Sequence, residues 1–586
     1  MARTNGRVPG VEARAGRSPG PSLIPSLNAI QREHGWLPRE QLVRLARDTR
    51  RPLYELEGLI SFYPHFRTTP PAKIEITVCR DLSCWLHGGD ERIARIHELY
   101  GDDAEIEVRE VSCIGRCDRP PAATVNERPA VVSELNDVVR EARAPGGARA
   151  GGLRTGQAAS CAAAPARRHW PNDPYPEGAD ASHYGVVRAM LAGGLRPADT
   201  IELVEHSGLR GMGAALGTLK ESGLRGMGGA GFPTAAKWEL VATQEGEPKY
   251  VICNADESEP GTFKDRQILA EQPHLVIEGM LIAMLTIGAE QGWLFVRHEY
   301  GPEEEAFRAE LAGARAQAIL GENVLGSGRR LEIDVFTSPG GYILGEESAL
   351  LECMEGHRGE PRNKPPFPAT YGLWGKPTLM NSVETLAAIP IILERGGQWW
   401  RDQGVRGGVG LKFLAVSGQI ANPGVYCVPM GTTARELIEL AGGVADGAEL
   451  QAFQPGGASS NFLGPEQLDV PLDFKPLADA GSMLGSGALV VIAEGTNLLA
   501  AATNVLRFFR DESCGKCVPC RTGSHKAHQI LTELLERGGG AGDVDQRIDQ
   551  LEETMRLTSI CGLGQVALGP VMSVLRMQRT GTAAAP

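Results

Sequence analysis

Several things are scarce in this 586-residue chain. No apolar run reaches the roughly 18 residues that argue a membrane span; the longest nearly apolar stretch, His274 to Ala289, is broken by Glu278. Positive charge is in deficit, with 59 Lys and Arg against 72 Asp and Glu, and the net charge of -13 makes nucleic acid an unexpected partner. The N-terminal segment holds Arg3, Arg7, Arg14 and Arg17 but no apolar core of the signal-peptide kind, so a cytoplasmic location is expected. The twelve histidines form no H-E-x-x-H or similar cluster, which leaves a histidine-metal hydrolase without support. Twelve cysteines in a chain this long are not disulfide density; in a reducing cytosol, clustered thiols read as metal ligands.

What is present describes a soluble, acidic, globular protein of 42% hydrophobic and 22% charged residues. It is too long for one core, and roughly three to five domains are expected. Residues 1–23 are rich in Gly, Pro and Arg and predict a tail without fixed structure. Residues 24–143 predict a helical cap, with apolar residues at helical spacing in Gln41–Arg47 and Leu53–Ile60, and then an α/β unit. In that unit Lys73–Val78 and Glu105–Val111 read as strands and Arg92–Tyr100 as a helix. An Ala/Gly-rich linker is expected over 144–172. A second α/β region follows at 173–408, then a small β-grasp-like domain at 409–498 with an Asn422-Pro-Gly424 turn and a helix at Ala434–Ala441. Residues 499–586 read as a helical bundle.

The chemistry-bearing residues begin with cysteine. Cys514, Cys517 and Cys520 sit at two-residue gaps, and Cys561 follows in Ser559-Ile-Cys-Gly-Leu-Gly564. Three closely spaced thiolates and a distant fourth are how a [4Fe-4S] cage is usually built; zinc is the bland alternative, though zinc sites favour two separate C-x2-C knuckles. A second set, Cys79-x4-Cys84 and Cys113-x3-Cys117, follows two strands, an order compatible with loops at one end of a sheet. Its spacing leaves [2Fe-2S], zinc and redox disulfides open. Lone Cys161, Cys253, Cys353 and Cys427 read as inert thiols.

Gly226, Gly228 and Gly231 satisfy G-x-G-x-x-G in Arg225-Gly-Met-Gly-Gly-Ala-Gly-Phe232, with Pro233 at the start of a helix. Such glycines admit a phosphate to backbone amides and a helix N-terminus. The preceding Leu216–Glu221 looks helical, which argues against an ordinary Rossmann fingerprint. An incomplete copy of the motif's start, Ser207-Gly-Leu-Arg-Gly-Met-Gly213, precedes it and lacks the later glycines. Lys249–Cys253 reads as a buried strand, and Asn254-Ala-Asp-Glu-Ser-Glu259 at its carboxyl end lies where α/β sheets bind ligands. Gly340-Gly-Tyr-Ile-Leu-Gly-Glu-Glu347 opens another helix with two carboxylates, for which helix capping is the bland reading. Asn363-Lys-Pro-Pro-Phe367 sets a cation beside an aromatic ring.

Taken in order, Arg225–Thr234, Asn254–Arg266, Gly345-Glu-Glu347, Lys364-Pro-Pro-Phe367 and the two cysteine sets resemble the FMN-carrying, NADH-oxidising flavoprotein subunit of respiratory complex I. Residues 24 to 143 look like its thioredoxin-like [2Fe-2S] partner, fused in front. Such a fusion is similar to the diaphorase subunits of NAD-dependent formate dehydrogenases and NAD-reducing hydrogenases. The resemblance implies a multidomain α/β protein with a thioredoxin-like domain, a Rossmann-like FMN/NAD domain, a β-grasp domain and a [4Fe-4S] helical bundle. It implies NADH:acceptor oxidoreductase activity with FMN, NAD(H), [4Fe-4S] and [2Fe-2S], within a complex of other redox subunits. Electron input to complex I is the alternative, and a non-enzymatic zinc scaffold the remote one. It implies that Gly226, Gly228, Gly229, Lys237, Asn254, Asp256, Glu257, Tyr342, Gly345 and Asn381 surround FMN. Phe232 and Phe367 would stack on the nicotinamide nucleotide, with Glu259, Glu346, Glu347 and Lys364 about its polar groups, and no side chain acting as acid or base. The metal ligands would be Cys79, Cys84, Cys113, Cys117, Cys514, Cys517, Cys520 and Cys561. Three positions depart from the family pattern: Leu240 and Ser382 stand where an aromatic and an Asn are frequent, and Ala235 replaces a frequent Gly.

Overall fold

The computed structural model describes residues 22–144, 169–176, 178, 182–192, 212–537 and 544–580. The expected N-terminal tail, most of the expected linker with Cys161, and nearly all of the first motif copy lie outside them. Twelve described strands form three four-stranded sheets.

The first sheet contains β1 (Ile74–Cys79), β2 (Ile106–Val111), β3 (Ala122–Val125) and β4 (Arg128–Val131), in the order β2-β1-β3-β4. Strands β1 and β2 run parallel, joined through helix Gly89–Tyr100. Alternate residues Ile74, Ile76 and Val78 meet Ile93 and Ile96 of that helix in a small core of their own. Cys79 is the register partner of Val111, so Cys79 and the loop after β2 share one sheet end.

The second sheet holds β5 (Tyr250–Ala255), β6 (Gln291–Arg297), β7 (Glu332–Ser338) and β8 (Thr378–Ser382) in the order β7-β6-β5-β8, all parallel. Strands of such a sheet are covered on both faces, which explains the unbroken apolar runs at Val251-Ile-Cys253 and Leu294-Phe-Val296. Helix Pro273–Ile287 is buried along its whole length and apolar but for His274, Glu278 and Thr286, as suits a core helix. With helix Lys264–Glu271 it forms a 95° bent pair, and no single described helix is long and apolar enough to cross a membrane.

A close approach within this core makes a measurable prediction. A Cβ at Gly279 would fall 2.1 Å from Leu386 O, where two helices touch backbone to backbone. Gly279→Ala is expected to cost about 1–3 kcal/mol through overpacking, a Tm loss of a few degrees by calorimetry. Gly313→Ala, on a helix where a Cβ meets nothing within 4 Å, should leave Tm unchanged or raise it.

In the third sheet β9 (Leu411–Gly418), β10 (Gly424–Pro429), β11 (Leu450–Gln454) and β12 (Ala488–Ala493) take the order β10-β9-β12-β11. The Asn422-Pro-Gly424 turn closes the β9–β10 hairpin, and Thr433 and Glu436 form a capping box at helix Ala434–Leu440. Buried charges dock this sheet on the second: Lys412 Nζ reaches Glu384 at 2.5 Å, and Lys264 Nζ reaches Glu384 at 3.0 Å and Asp265 at 2.6 Å. Such a network fixes geometry more than it adds net stability.

The C-terminal helices Leu498–Asp511, Val518–Glu536, Val544–Thr558, Gly562–Val566 and Gly569–Thr580 pack as a bundle. The cap helices Ile24–His34, Arg39–Thr49 and Leu53–Ile60 do not share the first sheet's core. Leu23, Leu27, Leu56 and Leu59 instead join a cluster with Leu344, Leu350 and Met354, and Tyr63 OH donates to His357 O at 2.6 Å. The cap therefore clamps the second α/β unit.

Candidate functional site

Helix Met212–Ser222, not a strand, leads into the glycine loop. Gly226 N donates to Phe232 O at 2.8 Å and Thr234 N to Leu224 O at 2.9 Å, so the loop closes on itself before helix Thr234–Ala242. Gly231 has φ +61°, and a Cβ there would lie 2.6 Å from the Phe474 ring. Met227 N donates to Thr385 Oγ1 at 2.9 Å, and a Cβ at Gly228 would stand 3.2 Å from Ser382 Cβ. The loop thus lies against the carboxyl end of β8.

Asn254 and Asn381 occupy the carboxyl ends of neighbouring parallel strands, with Cys253 paired to Asn381 and Asn254 to Ser382. Asn254 Nδ2 donates to Gly345 O at 2.9 Å, and Trp238 Nε1 donates to Asn381 Oδ1 at 2.9 Å. Burial pushes the Asp256 carboxyl up to about 7, and one of its oxygens has no partner. Glu257 is used differently. It accepts from Asp265 N (2.8 Å), Arg266 N (3.0 Å) and Tyr300 OH (3.0 Å), which commits its carboxylate to the start of helix Lys264–Glu271. Glu259 accepts from Tyr342 OH and Ser459 N, both at 2.6 Å, and joins the β5 loop to the third sheet.

Glu346 caps helix Glu347–Met354, accepting from Ser348 N at 3.0 Å and Ala349 N at 2.9 Å, so the capping reading holds for it. Lys364 Nζ spans both carboxylates, 2.8 Å from Glu346 and 2.7 Å from Glu347. Burial pulls the Lys364 pKa down, but these two hydrogen bonds outweigh it and leave the ammonium raised. Phe232 and Phe367 are 50% and 53% exposed, unusual for large apolar rings. Phe232 belongs to the glycine loop, and Phe367 stands at the N-cap of helix Pro368–Tyr371, which packs on helix Thr234–Ala242 just beyond that loop.

The arrangement suits a polar, anionic ligand. Lys237 Nζ donates to Met380 O at 3.2 Å and meets no carboxylate within 4 Å among the described residues, while burial lowers its pKa. Thr234 Oγ1 and Asp256 Oδ1 are buried without partners. A phosphate-bearing flavin beside the glycine loop would compensate the Lys237 ammonium and give Thr234 Oγ1 a partner.

Cys79, Cys84, Cys113 and Cys117 are all buried, with Cys113 Sγ and Cys117 Sγ 3.4 Å apart. Backbone amides point at three of these sulfurs: Gly115 N lies 3.4 Å from Cys113 Sγ, Ala122 N 3.3 Å from Cys84 Sγ, and Gly261 N 3.4 Å from Cys117 Sγ. Donors to sulfur suit thiolates bound to metal. The last contact is the informative one: Gly261 and Asp256 share the loop that leaves β5 one residue after Asn254, so a single short loop leads from the flavin cradle to this thiol set.

Cys517 and Cys561 stand at the N-caps of helices Val518–Glu536 and Gly562–Val566, and Cys520 lies in the first turn of the former. Burial pushes Cys520 up to about 11 and Cys561 up to about 12. Glu346 is near enough for its charge to help raise Cys561, and Lys516 Nζ donates to Pro361 O at 2.6 Å. The second thiol set therefore borders the Glu346–Lys364 side of the cradle.

Comparison with known proteins gives the sites their context. Residues 219–391 match a family model described as the Nuo51 FMN-binding domain. Residues 13–140 match a thioredoxin-like [2Fe-2S] ferredoxin, 413–460 an SLBB domain, and 500–584 the NADH-ubiquinone oxidoreductase-F iron-sulfur binding region. An NADH-quinone oxidoreductase subunit of Streptomyces coelicolor is 41% identical over 396 residues, covering 68% of this chain and 84% of that protein. The chain belongs to the family of these FMN-binding NADH-quinone oxidoreductase subunits. The Escherichia coli member is 42% identical over 403 residues, 68% of this chain and 86% of that protein. The NADP-reducing hydrogenase subunit HndC of Solidesulfovibrio fructosivorans is 41% identical over 382 residues, 65% and 74% of the two chains. A crystal structure of NAD+-reducing [NiFe]-hydrogenase in the H2-reduced state superposes with a TM-score of 0.80 at 30% identity, covering 97% of this chain and 95% of that one. The fold is thus multidomain α/β with FMN, [2Fe-2S] and [4Fe-4S] regions, and the zinc-scaffold alternative falls away.

Some contributors to the site carried no signal in the sequence. Thr385 holds the glycine loop, Trp238 orients Asn381, and Asp81 Oδ2 accepts from Cys113 N at 2.7 Å. Each acts on a residue well removed along the chain. Cys253, Cys353 and Cys427, expected to be inert, have thiols that burial raises far above neutral pH.

Proposed function

We propose that this chain is the NADH:acceptor oxidoreductase (diaphorase) module of a multisubunit redox complex. The observation that carries the reading is that one cradle borders both thiol sets, the first through the loop after β5 that ends at Gly261 and the second through the Lys516–Pro361 hydrogen bond, next to the Arg362–Ser348 bond on helix Glu347–Met354. FMN, when bound, supplies the exchange between two-electron hydride chemistry and single-electron transfer to the clusters. The protein's part is to bind and orient. Lys237, Thr234 and the glycine loop with Gly226, Gly228 and Gly229 would hold phosphate, and Asn254, Asp256, Tyr342, Gly345 and Asn381 the rest of the flavin. For Glu257 the role is indirect, because its carboxylate fixes the loop from behind. Phe232 and Phe367 would clamp the nicotinamide nucleotide, with Lys364, Glu346, Glu347 and Glu259 setting the charge around it. No general acid is needed.

Electrons would leave by the second thiol set. Val518 and Ile560, the immediate neighbours of Cys517 and Cys561, are 59% and 39% exposed, an apolar rim beside the cluster ligands. The end-to-end likeness to the hydrogenase chain supports a cytoplasmic complex of the hydrogenase or formate dehydrogenase kind. The 41% and 42% identities to the NADH-quinone oxidoreductase subunits stand behind the second reading, electron input to a respiratory complex, as the 41% identity to HndC stands behind the first.

The purified protein is expected to be coloured, to contain flavin and iron, and to reduce a soluble dye with NADH. A colourless product holding zinc and no flavin would overturn the reading. Co-purifying subunits decide between the two complexes.

A further inference from the structure

Arg297 ends strand β6 and is 2% exposed, yet neither the glycine loop nor the cysteine sets account for a buried guanidinium there. Its contacts reach two loops at once. Nη1 donates to Glu257 O at 2.6 Å, in the loop that leads out of the flavin cradle, and Nη2 donates to Cys113 O at 2.6 Å, in the loop of the first thiol set. Glu299, at 2.7 Å from Nη2 and 3.1 Å from Nε, is its counter-ion. Arg266 repeats the device: Nη1 donates to Gly115 O at 2.8 Å and Nη2 to Asp118 at 2.8 Å. The 113–118 loop is therefore tied to the flavin-binding unit by two buried cations.

We propose that Arg297 is a positioning residue that fixes the first thiol set against the β5 loop and, together with Glu299, sets the reduction potential of the [2Fe-2S] centre there. This rests on the reading that Cys79, Cys84, Cys113 and Cys117 hold that centre. One electron added to a cluster deepens the negative charge on its sulfurs. A buried cation at the backbone of a ligand stabilises that charge more than the oxidised form, and the surrounding low dielectric magnifies the effect. Glu299 works in the opposite sense, partly neutralising the guanidinium. The pair thus acts as an adjustable charge, with the cation nearer the cluster loop.

The test is a redox titration of the intact protein with dithionite, read by the electron paramagnetic resonance signal of the reduced [2Fe-2S] centre. Arg297→Gln should lower its midpoint potential and Glu299→Gln should raise it, while Arg297→Lys, which keeps the charge but loses the double bridge, should stay near wild type. Iron content and the visible spectrum, measured first, report whether the centre is present. If wild-type protein shows no [2Fe-2S] signal, the assignment of the cysteine set has failed. If the signal is present and the two glutamine variants leave the potential unchanged or move it in the same direction, the role of Arg297 is refuted. Should Arg297→Gln fail to fold, the shift in Glu299→Gln still decides, because a purely structural pair gives no rise in potential.

Discussion

Lys364→Ala is expected to raise the KM for NADH by about 10- to 100-fold, equal to ~1.4–2.8 kcal/mol of lost binding, while bound FMN remains. Lys364 neutralises Glu346 and Glu347 at 2.8 and 2.7 Å, so its removal leaves two carboxylates facing an incoming anion. Both the lost attraction and the new repulsion act on the dinucleotide. Phe367→Ala removes a ring that is 53% exposed and has no packing role large enough to threaten the fold. Stacking of a base or nicotinamide on an aromatic ring is worth about 1–3 kcal/mol, so a KM increase of roughly 5- to 150-fold is expected. Steady-state NADH-to-dye assays with flavin content measured alongside check both. Unchanged kinetics in the two variants would refute the assigned clamp.

Cys514→Ser is expected to abolish the [4Fe-4S] signal and slow electron delivery to the native partner by at least about tenfold, which is ~1.4 kcal/mol on the barrier. NADH-to-dye transfer, which needs only the flavin cradle, should change much less. Cys514 is the suitable position because it is only half-buried, whereas Cys520 sits against Gly564 in the bundle core. A Cys514→Ser protein that keeps full transfer to its partner would remove the second thiol set from the route.

Much of this was legible before the fold was known, and the reason is local. Glycine spacing, cysteine spacing and the Lys364–Phe367 segment are requirements that neighbouring residues impose on one another, so they survive as strings. The helix before the glycine loop, the capping carboxylate of Glu346 and the turn at Asn422–Gly424 belong to the same class. Glu257 did not. The resemblance makes it a flavin-binding candidate, and the fold adds that its carboxylate accepts from the amides that open helix Lys264–Glu271, a demand visible only when that helix turns back under the loop. The cap helices are a second case: their periodicity identified them as helices, while their partner across the molecule depended on packing.

Residue type and short-range spacing were enough for the two four-cysteine sets, the glycine loop and the three α/β or β units with a helical end, because each is written in local stretches of chain, while the cofactor classes came from the order of those motifs and the family it resembles. The folded chain was needed to bring the loop after β5 to the first thiol set, to tie Lys516 of the second to Pro361, next to helix Glu347–Met354, and to let Arg297 bridge Glu257 and Cys113. Those contacts join segments that lie far apart in the sequence. Their positions follow from parallel strand order and from core packing, and no short run of residues encodes them.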